Sequence, residues 1–391
     1  MKTSILVCGA GIVGMATALG LAKAGCRDVT LLGPAPKPES VDRNTFHSRV
    51  YAISTSSQQF LARLGVWSLL NMERVTRVDA MEVKGDQFGA LYLRGWQAAQ
   101  PQLTWIVESG ELERVLEQAL TVYGVPWLQD TLDRYEKGSG TTAAGKEISA
   151  QLWIAADGVK SKLRELAGIA YDESSYDAVG VVGHLHSQFS HQGCAFQWFR
   201  PEGVLGLLPM PDTDEGHQVS MVWSLKTSYA RTLLGLDHEQ QVSALGESLG
   251  EATRGRLGHL RLRGSLHGFP LTLASSPMIG EQVALVGDAA HRVHPLAGQG
   301  LNLGLGDAQA LIKVIAEREP FVTPGDPMVL RRYRRTRAQA VLEMRLVTDG
   351  LKRLFDVQVP PIQWLRNAGM SLVDRVPLAK RLLIEAASRS A

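Results

Sequence analysis

A chain of 391 residues is longer than one hydrophobic core usually serves, so two domains are expected, interleaved if their segments alternate. With 45% apolar and 20% charged residues and a net charge of +2, the composition is that of a soluble globular protein; it excludes a disordered chain and gives no basis for nucleic-acid binding. Cys8, Cys26 and Cys194 lack metal-ligand spacing and read as reduced thiols, and no apolar run reaches the roughly 20 residues of a membrane span.

Ser4 to Cys8 reads as a short buried strand, so close to Met1 that no signal peptide is expected. The expected location is cytoplasmic. Gly9-Ala10-Gly11-Ile12-Val13-Gly14 follows, Met15 to Ala24 reads as a helix, and Val29 to Leu32 is the next strand. This is strand, GxGxxG, helix and strand in the order a dinucleotide site requires. Gly9 permits the tight turn, Gly11 the close approach of a pyrophosphate, and Gly14 the packing of the helix. The second strand should end on an acid for the adenosine ribose, and here stands Gly33, followed by Pro34. A charge-assisted hydrogen bond is worth about 1.5–3 kcal/mol. Its loss weakens the dinucleotide roughly ten- to a hundredfold unless Glu39, Asp42 or a main-chain group substitutes.

Pro34 to Pro38 is a loop. Arg49 precedes a helix from Thr55 to Leu64, with Ser54 or Thr55 as N-cap. Arg49 has two readings, a phosphate partner or an ordinary surface arginine. Thr104 to Glu108 is a strand, and Ser109 caps a helix through Tyr123. Leu152 to Ala155 is a strand ending at Asp157-Gly158, and Ser161 and Arg164 complete a D-G-x-x-S-x-x-R string. Asp-Gly after a strand is a common turn, so the string reads as a turn or as part of a cofactor site. From Val179 to Trp223, short strand-like runs alternate with turns, the pattern of an antiparallel sheet. Phe196 and Trp198 share one face there; most such residues are core, and one or two line a pocket for an apolar substrate. Gln241 to Leu249 reads as a helix and Arg261 to Phe269 as a returning strand. Neither His184 with His186 nor His291 with His294 completes a ligand set, so no metal is expected.

Val283 to Val286 is a buried strand ending at Gly287-Asp288-Ala289-Ala290-His291. A loop through Pro295 and Gly298-Gln299-Gly300 leads into a helix from Leu301 to Ile315. The helix start offers free N–H groups and a positive dipole end, suited to a negative group. Gly298, Gly300 and Gly304 let something flat approach the backbone. Arg331, Arg332, Arg334, Arg335 and Arg337 form a basic run in a long helix, read as a solvated face or a contact for anionic lipid or an acidic partner. Pro360-Pro361 ends that helix, and Ile362 to Ser388 gives two short amphipathic segments about Pro377. The expected division is a discontinuous Rossmann-like α/β domain at 1–177 and 273–345, an interleaved antiparallel β-sheet substrate domain at 178–272 with parts of 80–105, and C-terminal helices at 346–391.

The three separated strings, GxGxxG, Asp157-Gly158 and Gly287-Asp288, together resemble those of the class A flavoprotein monooxygenases. Gly287 to His291, continuing from His294-Pro295-Leu296-Ala297-Gly298 to Gly304, is similar to the signature of the ubiquinone-biosynthesis hydroxylase family. Arg49-Val50-Tyr51-Ala52, Phe199 to Gly203, Phe269-Pro270-Leu271 and Asp349-Gly350-Leu351 also fit that family.

The resemblance implies tightly but noncovalently bound FAD, NAD(P)H and O2 as co-substrates, and a C4a-hydroperoxyflavin that hydroxylates the aromatic ring of a prenylated quinone precursor. It implies that Gly9, Gly11 and Gly14 hold the ADP part, that Arg49 contacts the cofactor, and that Asp157 serves FAD and NAD(P)H. Asp288 is implied for the ribityl–pyrophosphate part. The loop with Gly298 and Gly300, and the helix start at Leu301 and Asn302, are implied to face the flavin pyrimidine. No side-chain base is expected; His294 is the one candidate, beside a structural reading. Two alternatives stay open: a flavin hydroxylase of soluble aromatics, and a flavin-poor assembly component of a biosynthetic complex, the latter motivated by Gly33. A lipid-soluble substrate further implies a biosynthetic complex or peripheral contact with the inner membrane. The oligomeric state is open.

Overall fold

The computed structural model describes residues 1–36, 42–253, 255–293, 299–357 and 359–388. Ile5, Leu6, Val7 and Cys8 are all buried, so the first strand, Lys2–Cys8, has no polar face and must lie at the centre of a covered sheet. It pairs in parallel with Glu147–Ala155 on one side and Val29–Leu32 on the other. Val283–Leu285 runs parallel beyond Glu147–Ala155, with Ile279–Gly280 at the edge. Trp127–Leu128 continues the other side, and the hairpin of Leu132–Glu136 and Ser139–Thr142 extends from Glu147–Ala155. Register fixes the functional geometry: Cys8 stands opposite both Ala155 and Leu32, and Ala155 opposite Leu285. Gly9, Asp157, Gly287 and Gly33 therefore all leave the same carboxyl edge of one sheet, where open α/β sheets bind ligands.

The second sheet carries, in spatial order, His291–Arg292, Leu260–Ser275, Asp172–Ser187, Gly216–Lys226, Gly203–Thr213, Cys194–Arg200, Ala80–Lys84 and Ala90–Arg94. It is the antiparallel sheet read from the alternation, though Cys194–Arg200 pairs in parallel with Ala80–Lys84. Phe196 and Trp198 do share a face, stacked with ring centroids 5.4 Å apart, and both are buried. A small third sheet joins Val50–Ile53, Thr104–Glu108 and Thr76–Val78.

The helices are α1 (Ile12–Lys23), α2 (Thr55–Arg63), α3 (Ser109–Val122), α4 (Lys162–Leu166), α5 (Thr227–Gly235), α6 (His238–Thr253), α7 (Gln299–Ala316), α8 (Pro327–Asp356), α9 (Pro360–Arg375) and α10 (Pro377–Ser388). The apolar α1 is buried along most of its length and packs against α3 and α7. Ser54 caps α2 as expected, accepting from Ser57 N at 3.3 Å. Ser109 is not a cap: Glu108 holds that position, and its carboxylate goes instead to His47 N (2.7 Å) and to Arg74. Asp326 caps α8 with Pro327 in the first turn, where its missing N–H does no harm. The basic run on α8 divides. Arg331, Arg332, Arg334 and Arg335 are exposed, whereas Arg337 is buried, because it meets a buried acid on α7. α9 and α10 lie along the edge strand Ala90–Arg94 and the short turn Gly95–Ala98.

Candidate active site

The glycines at the carboxyl edge differ in what holds them. Gly9 has φ +113°, and a Cβ on it would lie 2.3 Å from the Ala156 carbonyl carbon. A Cβ on Gly14 would lie 1.8 Å from Gly9 O, because α1 rests directly on the loop. Gly11 and Gly300 are different: nothing lies within 4 Å of a Cβ built on either, and both line a cavity. No protein atom demands glycine there; what its absence of side chain leaves is room for a ligand against the backbone. That open cradle, beside the α1 start, fits the pyrophosphate of a dinucleotide. Gly33 is closed in by contrast, since a Cβ on it would stand 2.7 Å from Ala10 N. Asp42, one proposed substitute for the missing acid, accepts from Asn44 N and Thr45 Oγ1 in its own turn.

Side chains far apart in sequence tie the edge loops together. Buried Arg164 on α4 donates to Ala289 O (2.9 Å) and Val159 O (2.7 Å) and stacks on Tyr171. Asp307 on α7 is fully buried and accepts from Gly287 N (2.9 Å) and Arg337 Nε (2.7 Å). His291 Nε2 lies 2.8 Å from Oδ2, the oxygen that accepts from Gly287 N. Burial alone would raise the Asp307 pKa; His291, Arg337 and the Gly287 N–H outweigh it and hold the carboxyl below its ordinary range. Asn302, in the first turn of α7, accepts from Ser54 N (2.9 Å) and donates to Ala52 O (2.8 Å). It thereby fixes the helix start against the Val50–Ile53 strand.

One cavity of about 610 Å³ opens beneath these loops. Gly11, Arg49, Asp288, Gly300 and Leu301 line it at the carboxyl edge. Val78, Met81, Ile106, Phe196, Leu208 and Val222 line an apolar chamber under the second sheet, and Leu383, Ile384 and Ala387 of α10 wall it. Asp288 projects into the cavity; the protein around it raises its pKa, against the opposing charges of Arg292, His291 and Arg49. The Arg49 guanidinium sits 4.2 Å from the Phe269 ring centroid.

Of the residues singled out from sequence, five thus face the cavity: Gly11, Arg49, Asp288, Gly300 and Leu301. Gly9 and Gly14 shape the loop from behind, and the Asn302 side chain turns away to its strand contacts. Asp157 Oδ2 accepts from Lys162 N (2.8 Å) and Leu163 N (3.2 Å), the first amides of α4, whose N-cap is Ser161; its Oδ1 is buried without a hydrogen-bond partner, and burial raises its pKa. Gly298, His294 and Glu39 lie outside the described residues. The rings of His184 and His186 reach the carbonyls of His47 and Glu215, and among the described residues no three metal-ligating side chains cluster. Sequence reasoning missed Asp307 and its partners. The signal was present: Asp307 falls midway between Leu303 and Leu311 at i±4, a lone acid on the apolar stripe of α7.

A family model described as an FAD binding domain matches residues 2–345. The chain is 34% identical over 393 residues to ubiquinone hydroxylase UbiL of Rhodospirillum rubrum, covering 97% of this chain and 88% of the relative. It is 30% identical over 387 residues to 3-demethoxyubiquinol 3-hydroxylase of Escherichia coli, covering 97% and 96%. Among solved structures it resembles PqsL of P. aeruginosa in complex with 2-aminobenzoylacetate, with a TM-score of 0.76 at 20% identity over 95% of this chain and 99% of that one. It also resembles p-nitrophenol 4-monooxygenase PnpA of Pseudomonas putida, with a TM-score of 0.77 at 18% identity over 99% and 98%. At such identities these two establish the fold alone.

Proposed function

This chain belongs to the FAD-binding-domain family of flavoproteins, and from that premise we propose that it is a monooxygenase hydroxylating the aromatic ring of a prenylated ubiquinone precursor, with NAD(P)H and O2. The carrying observation is a single cavity that joins a glycine-lined slot at the carboxyl edge of a parallel sheet to an apolar chamber beneath a second sheet. The slot suits a dinucleotide and the chamber an apolar ring.

FAD, when bound, supplies the redox chemistry that activates O2. The protein binds, orients and shields. The backbone at Gly11 and the start of α1 receive the pyrophosphate, and Arg49 adds positive charge. Asp288, at the cavity, would accept from a cofactor hydroxyl, a bond that favours its charged form. The amides at Gly300 and Leu301 line the cavity at the positive end of α7 and would stabilise negative charge on a bound flavin, and Asn302 fixes that helix start. Gln197, Ser220 and Ser224 are neutral groups in the chamber that suit the ring hydroxyl of a phenol. The apolar walls exclude water during oxygen transfer. No side chain is assigned as a base. Gly33 leaves the ribose without its acid, so FAD should be held about ten- to a hundredfold less tightly than in a relative carrying one, unless Glu39 or a main-chain group substitutes.

No helix among the described residues is long and apolar enough to cross a membrane. Delivery of a lipid-soluble substrate therefore falls to a peripheral membrane contact or a biosynthetic complex. The test is mass spectrometry of the products formed by FAD-loaded protein with NAD(P)H, O2 and prenylated phenols in detergent. One added ring oxygen is expected. Hydroxylation of small soluble phenols alone, or an unchanged quinone profile in a deletion strain, would overturn the assignment.

A further inference from the structure

The two C-terminal helices bury polar side chains and turn several apolar ones outward. On α9, Arg366 and Asn367 point inward: Arg366 pairs with Asp86, and Asn367 accepts from Gly89 N and donates to Asp86 Oδ1, both at 2.8 Å. Trp364, Leu365 and Leu372 occupy the opposite face, all more than half exposed, while Asn367 is 0% exposed. On α10, buried Lys380 turns in to Asp374 at 2.6 Å, while Leu378 and Leu382, one turn apart, are more than half exposed. A helix on a water-facing surface does the reverse.

The neighbourhood has two further characters. Phe88, Tyr92 and Trp96 are exposed on the loop, strand and turn against which these helices pack. Tyr and Trp gather at lipid–water boundaries because their rings are amphipathic. The charge left facing outward is positive. Arg94 and Arg375 are exposed, Arg381 pairs with Glu385, and Asp86 and Asp374 are engaged by Arg366 and Lys380. α10 is also a cavity wall, through buried Ile384 and the more exposed Leu383 and Ala387.

We propose that α9 and α10 form a docking surface for an anionic lipid bilayer, and that α10 is the wall past which the prenylated substrate enters from the lipid. This rests on the prenylated-substrate reading above. An exposed apolar stripe, an aromatic rim and a cationic margin are the features of a protein that lies on a membrane without spanning it. Anionic headgroups complement Arg94 and Arg375, and the leucines enter the boundary below them. The substrate's route from that boundary to the chamber is then one helix thick, about 10 Å.

The test is flotation of full-length, FAD-loaded protein with vesicles of phosphatidylethanolamine and phosphatidylglycerol, compared with phosphatidylcholine alone. The protein is expected to float with the anionic vesicles and more weakly with the neutral ones. The triple variant Trp364→Ser, Leu365→Ser, Leu372→Ser should lower vesicle partitioning about tenfold or more. Its FAD content, melting temperature and turnover of a short-chain soluble phenol should stay unchanged, while turnover of a long-chain phenol in vesicles falls. Leu378→Ser with Leu382→Ser gives a second variant if the first folds poorly. Absence of wild-type flotation with anionic vesicles would overturn the proposal. So would a dimer, split by these substitutions, that shows no vesicle binding; the face would then belong to a second copy. Failure of the hydroxylase reading shows separately, as no oxygen added to prenylated phenols in detergent, since flotation needs no substrate.

Discussion

Asn302 satisfies Ser54 N and Ala52 O across some 250 residues of chain. Asn302→Leu leaves a buried N–H unpaired, a cost of about 1–3 kcal/mol. Urea unfolding should show that loss, and the flavin absorbance should shift as the α7 start drifts. Asp307 carries more. Asp307→Asn leaves Arg337 without its counter-charge in the core, so about 3–5 kcal/mol of stability should go. Its pH signature has a definite sign. A carboxyl held below its ordinary range gives stability that is complete above about pH 4 and lost as pH falls through the native value. Asp288 stands exposed at the cavity, so its charge bears on the ligand more than on folding. Asp288→Asn should leave the melting temperature of the flavin-free protein nearly unchanged while weakening FAD binding about tenfold. Thermal melts of the apo form and FAD titration would separate the two effects. Restoring an acid by Gly33→Glu should not rescue affinity, because its Cβ would press on Ala10 N and move the loop.

At the scale of elements, strands with strong patterns were legible: Val29–Leu32, Thr104–Glu108 and the returning Leu260–Ser275 all fall where the apolar runs place them. So were the two C-terminal segments broken at Pro377. Val50–Ile53 was not, because four residues leading into a helix carry no period of their own; its strand character comes from pairing with Thr104–Glu108, distant in the chain. Amphipathic spacing revealed α9 but not which face turns inward, since that depends on Asp86 and Gly89 waiting on another element. Arg337 read as solvated for the same reason: its partner lies on α7. The site's glycine loops were plain in the sequence, and the charges bracing them were hidden by separation. α10 provides a test at this scale. A chain ending before Pro377 loses one chamber wall but none of the slot. It should keep FAD and still consume NAD(P)H, yet release hydrogen peroxide in place of hydroxylated product, as peroxide and product assays on the same sample would show.

Across the molecule, two sheets divide the labour, one presenting three strand ends to a dinucleotide and the other roofing an apolar chamber. What makes this one site is register, which aligns Cys8, Ala155 and Leu285, and bracing by Arg164, Asp307 and Asn302. The convergence of those loops on a single FAD is most directly tested by calorimetric titration of FAD into flavin-free wild type, Gly11→Val and Asp288→Ala. Gly11 faces open cavity, so the valine variant should fold normally. One FAD per wild-type chain is expected, with affinity falling about a hundredfold in Gly11→Val and at least tenfold in Asp288→Ala. Unaltered affinity in both variants would contradict a shared cofactor slot at the carboxyl edge.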